Sequence, residues 1–138
     1  MLQRMQTVWL LLSAVCVFLT FKFSFFSGMR DSNQVKALES VNATTSMIVL
    51  VLSVALASSI LIDIFLYKNR KLQMRIVLAA ILVSVLNIFL YFRQTRDFVD
   101  YKFDLTAIFF FAIPILLILA ARGIYKDQKL VKSLDRLR

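Results

Sequence analysis

One carboxylate stands inside an apolar run of this sequence. Asp63 lies in TTSMIVLVLSVALASSILIDIFLY, residues 44–67. An unpaired carboxylate in hydrocarbon costs several kcal/mol, so it needs a partner or a function. A proton or ion relay needs a second titratable group deeper in the membrane. No other carboxylate and no histidine stands in the predicted spans. The connection after residue 67 is only Lys68-Asn69-Arg70-Lys71, which forces the flanking spans into an antiparallel hairpin. Pairing across that hairpin sets Asp63 level with Arg75 or Ile76. A structural intramembrane ion pair between Asp63 and Arg75 is therefore expected, fixing the hairpin.

Other chemistries lack their residues. Cys16 is the one cysteine and histidine is absent. That excludes a disulfide within the chain and any zinc or haem site built on His or paired Cys. Two glycines make no phosphate loop, and no nucleophile has a base beside it. No catalytic residue, metal or cofactor is expected, and the chain is read as not an enzyme. Asn87 suits one interhelical hydrogen bond, worth about 0.6–2 kcal/mol. Pro114 removes a backbone donor and marks a kink, or a broken helix of the transporter kind.

The elements that must hold these residues are membrane spans. The chain has 138 residues, 60% of them hydrophobic and 18% charged. A soluble domain carries about 45–50% apolar and about 25% charged residues. The apolar runs do not alternate, which excludes an outer-membrane barrel. Helices remain as the way to satisfy backbone groups in lipid. Four runs approach the ~20 residues that cross a bilayer, at 7–26, 44–67, 72–92 and 105–121. The first could be a signal peptide, but no small-x-small cleavage site follows it, so it is read as a retained helix. Ser53/Ala57, Ala55/Ser59 and Ala80/Ser84 are small pairs four apart, which allow close helix approach. Trp9, Tyr67, Tyr91 and Tyr101 fall near predicted interfaces, and Phe109-Phe110-Phe111 is lipid-facing or packing bulk. Residues 27–43 and 93–104 read as polar loops of zero net charge. The expected fold is all-α: one domain over 1–138, four transmembrane helices in an antiparallel bundle, and a basic amphipathic tail at 122–138.

Charge sets the orientation. With the N-terminus inside, the inner segments hold Arg4, Lys68, Arg70, Lys71, Arg75, Arg122, Lys126, Lys129, Lys132, Arg136 and Arg138. The outer segments hold Lys22, Arg30, Lys36, Arg93, Arg96 and Lys102. Eleven against six favours both termini in the cytoplasm. The net charge of +9 is thus a topology signal and a lure for anionic headgroups, with no module for nucleic acid. In the tail, Ile124, Leu130, Val131, Leu134 and Leu137 share one arc, while Lys126, Lys129, Lys132 and Arg136 lie opposite. Such a stripe lies on the membrane interface, trails into solvent as a stop-transfer tail, or docks in a partner's groove.

Three stretches together resemble a known family. They are the start MLQRMQTVWLLL, the hairpin IFLYKNRKLQMR and the tail ARGIYKDQKLVKSLDRLR. They are similar to small Bacteroidota membrane proteins grouped as domain of unknown function 4293. The resemblance spans the whole chain, with Lys126-Asp127 and Leu130-Val131 in its most specific part. It implies a four-helix bacterial inner-membrane protein and implies no activity. The matching stretches all fall on the side assigned to the cytoplasm. The expected interaction residues are therefore Arg4, Lys68, Arg70, Lys71, Gln73, Arg122, Lys126, Lys129, Lys132, Arg136 and Arg138. The expected function is an accessory or structural subunit of a membrane complex, bound to anionic lipid and a protein partner. A small oligomeric transporter or channel subunit is the alternative, and an intramembrane enzyme ranks last.

Overall fold

The computed structural model describes residues 2–32, 35–67, 69–98 and 100–135. Four long helices carry the chain: α1 (Leu2–Lys22), α2 (Met47–Phe65), α3 (Arg70–Gln94) and α4 (Ala107–Asp135). Each has a stretch long and apolar enough to cross a membrane: Met5–Lys22, Met47–Phe65, Arg70–Gln94 and Ala107–Val131. α1 packs on α2 and α4, and α3 packs on the same two helices.

One periodicity decides which face each helix turns inward. In α2 the buried positions include Val49, Ser53, Leu56, Ile60 and Asp63. In α3 they are Gln73, Val77, Ala80, Ser84, Asn87 and Tyr91. Gln6, Leu10, Ser13, Val17 and Thr20 continue the pattern on α1, and Phe110, Ile113, Leu117, Ala120 and Ile124 on α4. The steps alternate between three and four residues, the heptad spacing that keeps one stripe facing its neighbours. Ser53, Ala57, Ala80 and Ser84 all lie in the buried seam, whereas Ala55 faces outward. The buried hydroxyls bond back to their own helices, Ser13 to the Leu10 carbonyl and Thr20 to that of Val17, both at 2.7 Å. Asn87 Nδ2 donates to Ser53 Oγ at 2.9 Å, the interhelical bond expected of it.

The segments read as polar loops form a small sheet instead. β1 (Phe26–Ser32) and β2 (Val35–Val41) pair antiparallel, and β3 (Asp100–Phe103) adds to the other side of β1. The register sets Phe26 opposite both Val41 and Phe103. α1 stops at Lys22, short of Phe26, because Phe25 and Phe26 leave it to found a second core. Phe25 is wholly buried, with ring centroids 5.0 Å from Phe110 and 5.1 Å from Tyr91. Phe26 meets Phe98 edge-on at 5.1 Å. Tyr91 thus belongs to this core rather than to an interfacial belt. Asp104 fastens the sheet to the helices: it accepts from Ser24 Oγ and, at 2.9 Å, from Ser27 Oγ. Thr106 Oγ1 adds a bond to the Ser24 carbonyl at 2.6 Å.

α4 runs unbroken through Pro114 to Asp135, so the tail continues the fourth helix rather than forming a separate element as far as the described residues go. Truncating Phe25 should leave a cavity that the rigid aromatic neighbours cannot close. Phe25→Ala should cost about 3–5 kcal/mol, while Phe89→Ala, at an outward position, should cost far less. Thermal unfolding of both variants in the same detergent checks the difference.

Candidate interaction face

The seam ends in polar residues at the end of the bundle away from the sheet. Gln6 lies one turn beyond Leu10, Asp63 beyond Ile60, and Gln73 beyond Val77. All three are at least nine-tenths buried. Gly123 admits Gln6: a Cβ there would sit 2.8 Å from Gln6 Cγ. Gln73 Nε2 donates to the Asp63 carbonyl at 3.3 Å. Gln73 is therefore a packing residue of the hairpin, not the exposed contact expected of it.

The expected Asp63–Arg75 pair does not form. Asp63 is 1% exposed, and neither carboxylate oxygen has a hydrogen-bond partner among the described residues. Arg75 points outward. Distance from the turn sets the level along the hairpin, but the direction around α3 decides contact. At 3.6 residues per turn, Arg75 is rotated about 200° from Gln73, the residue that faces Asp63. The heptad stripe through Gln73, Val77 and Ala80 was the sequence signal that could have placed both.

A different ion pair ties this end together. Arg70 Nη2 lies 3.2 Å from Asp127 Oδ2, and Arg70 Nη1 donates to the Asp127 carbonyl at 3.3 Å. Gln128 Nε2 donates to the Arg70 carbonyl at 2.8 Å. The first turn of α3 is thereby clamped to α4, and Arg70 is largely committed to that clamp. Asp127 follows Ile124 by three residues, so it continues the seam of α4. Past the clamp, Val131 of α4 joins Tyr67, Asn69, Arg70, Lys71, Leu72 and Arg75 around an open cavity of about 800 Å³.

Lys71, Arg75, Arg122, Lys126 and Lys129 are exposed at this end. Arg4 and Lys132 lie on α1 and α4, but their side chains are outside the described residues, as are Lys68, Arg136 and Arg138 altogether. Among the described residues no group of His, Cys, Asp and Glu could hold a metal.

The outer surface has its own character. Only about 28–33% of each candidate span is buried within the protein, and Phe65, Leu82, Phe89 and Ile108 stand more than three-fifths exposed. So many exposed large apolar side chains are unusual on a soluble monomer. Four such helices are compatible with a multi-pass membrane protein. The chain belongs to the family described as Domain of unknown function (DUF4293), whose family model matches residues 2–137. No curated protein matches it significantly.

The clamp and the unpaired Asp63 make opposite predictions for charge removal. Arg75→Ala should change stability by no more than about 0.5 kcal/mol. Arg70→Ala should cost about 1–2 kcal/mol, because it strips charged hydrogen bonds from a partly buried pair. Asp63→Asn should unfold no earlier than the parent, since no partner is lost. Comparing melting temperatures of the three variants tests all three statements.

Proposed function

We propose that this chain is a non-enzymatic integral protein of a bacterial inner membrane, an accessory or structural subunit of a membrane complex. Its helices form an antiparallel bundle with both termini in the cytoplasm. The basic residues of α4 from Arg122 onward lie at the cytoplasmic surface among anionic headgroups. The eleven-to-six distribution of Lys and Arg supports that orientation.

The observation that carries the proposal is the open cavity beneath the α2–α3 turn. Tyr67, Leu72 and Val131 give it apolar walls, and Lys71 and Arg75 give it a cationic rim. The Arg70–Asp127 clamp holds its two sides in fixed relation. A preorganised pocket of this kind suits an acidic segment with an apolar side chain, because it loses little freedom on binding. A photoactivatable residue at Arg75 in native membranes should give one discrete protein adduct. The same group at Leu82, on the outward face, should give lipid adducts only. Lipid adducts alone at both positions, with the protein migrating by itself in mild detergent, would contradict an accessory role.

A small oligomeric transporter or channel subunit is the second reading, favoured by the buried Asp63 carboxylate. Unchanged ion flux and growth on replacing Asp63 by Asn would count against it.

A further inference from the structure

A second concavity lies on the side of the protein, between α3 and α4. It is an open groove of about 600 Å³ that changes character along its length. Leu78, Ile81 and Ile118 line the part farther from the basic end, which is apolar. Arg122 and Lys126 line the part nearer the basic end, with Tyr125 between them. The two cations are four residues apart, so they project from the same side of α4. Both are exposed, and neither has an ion pair among the described residues. The neighbouring acid, Asp127, is held by Arg70 at 3.2 Å and so does not neutralise them. From Ile118 to Lys126 the helix rises about 12 Å at 1.5 Å per residue. That length suits the upper half of an acyl chain with its headgroup above.

We propose that this groove is a specific site for one anionic phospholipid, with an acyl chain along Ile81 and Ile118 and the phosphate at Arg122 and Lys126. Charge complementarity selects the lipid over an apolar partner helix, which would leave the two cations without a counter-charge. The order of the lining, apolar then cationic toward the membrane surface, matches the order of tail and headgroup. The site is separate from the cavity at the α2–α3 turn. It rests on the membrane placement in the proposed function and not on the existence of a protein partner.

The test is native mass spectrometry of the purified full chain in mild detergent. It is titrated with dioleoyl phosphatidylglycerol or with dioleoyl phosphatidylcholine. The first phosphatidylglycerol should bind at least about tenfold more tightly than phosphatidylcholine, the scale expected of two cations at a headgroup. Arg122→Gln with Lys126→Gln should abolish that preference, and Arg122→Lys with Lys126→Arg should keep it. Ile118→Trp, which fills the groove from an outward position, should weaken both lipids severalfold. Melting temperature establishes that each variant is folded; the charge-conserving pair is the control, and Arg122→Gln alone, which should lower the preference, takes the place of the glutamine pair if that pair does not fold. Equal binding of the two lipids by the parent protein would overturn the proposal. So would a preference that survives the glutamine pair, or tight binding that ignores the tryptophan. Loss of the protein adduct at Arg75 with the lipid preference intact would defeat the accessory role and leave this site standing.

Discussion

Close approach along a single seam holds the four helices together. In the membrane proposed for this protein, lipid would offer the outward faces the same apolar contact that a neighbouring helix does, so burial alone would give little drive to associate. What distinguishes the inner faces is fit. Ser53, Ala57, Ala80 and Ser84 let backbones come near, and Leu10, Ile60, Val77 and Leu117 fill the remaining space. The Asn87–Ser53 hydrogen bond fixes the register of α2 against α3 at one level. A one-residue slip would turn this polar pair away from each other and leave the amide without that partner.

The two ends of the seam are closed by different physics. At one end, aromatic rings around Phe25 form a dense plug. The sheet covers it and Asp104 ties it to the start of α4. At the other end, the seam passes from apolar residues to Gln6, Asp63 and Gln73, and then to the Arg70–Asp127 clamp. The first end also keeps the Tyr91 hydroxyl and Gln94 Oε1 without hydrogen-bond partners among the described residues, beside a cavity of about 400 Å³ that Arg93 and Arg96 help to line. The second sets Lys71 and Arg75 around a cavity of about 800 Å³, which is where the proposed partner would bind.

The four long apolar helices were legible in the sequence because length and apolar content are enough to define them. The sheet was not. Phe25 and Phe26 close an apolar run and read as its last turn, although their rings are needed elsewhere. β3 is a short strand, DYKF, whose pairing with β1 spans more than seventy residues of sequence. Asp63 shows the sharper limit. Its level above the hairpin turn could be counted, but its partner depended on rotation about α3, and a level alone does not give that. Gln73 adjoins Arg70 and Lys71 in a basic stretch that reads as surface, yet it occupies the heptad position that faces α2. The continuation of α4 past Ala121 was hidden by the change from apolar to charged residues, which alters the surroundings of a helix without ending it.

The account depends on the sheet and the basic end lying on opposite sides of one membrane. Single cysteines at Leu38, on β2, and at Lys71, on α3, report this in a Cys16→Ser background. With a membrane-impermeant thiol reagent applied to intact spheroplasts, the Leu38 position should be labelled. The Lys71 position should be labelled only after permeabilisation. Equal labelling of both positions before permeabilisation, or labelling of Lys71 alone, would contradict the arrangement.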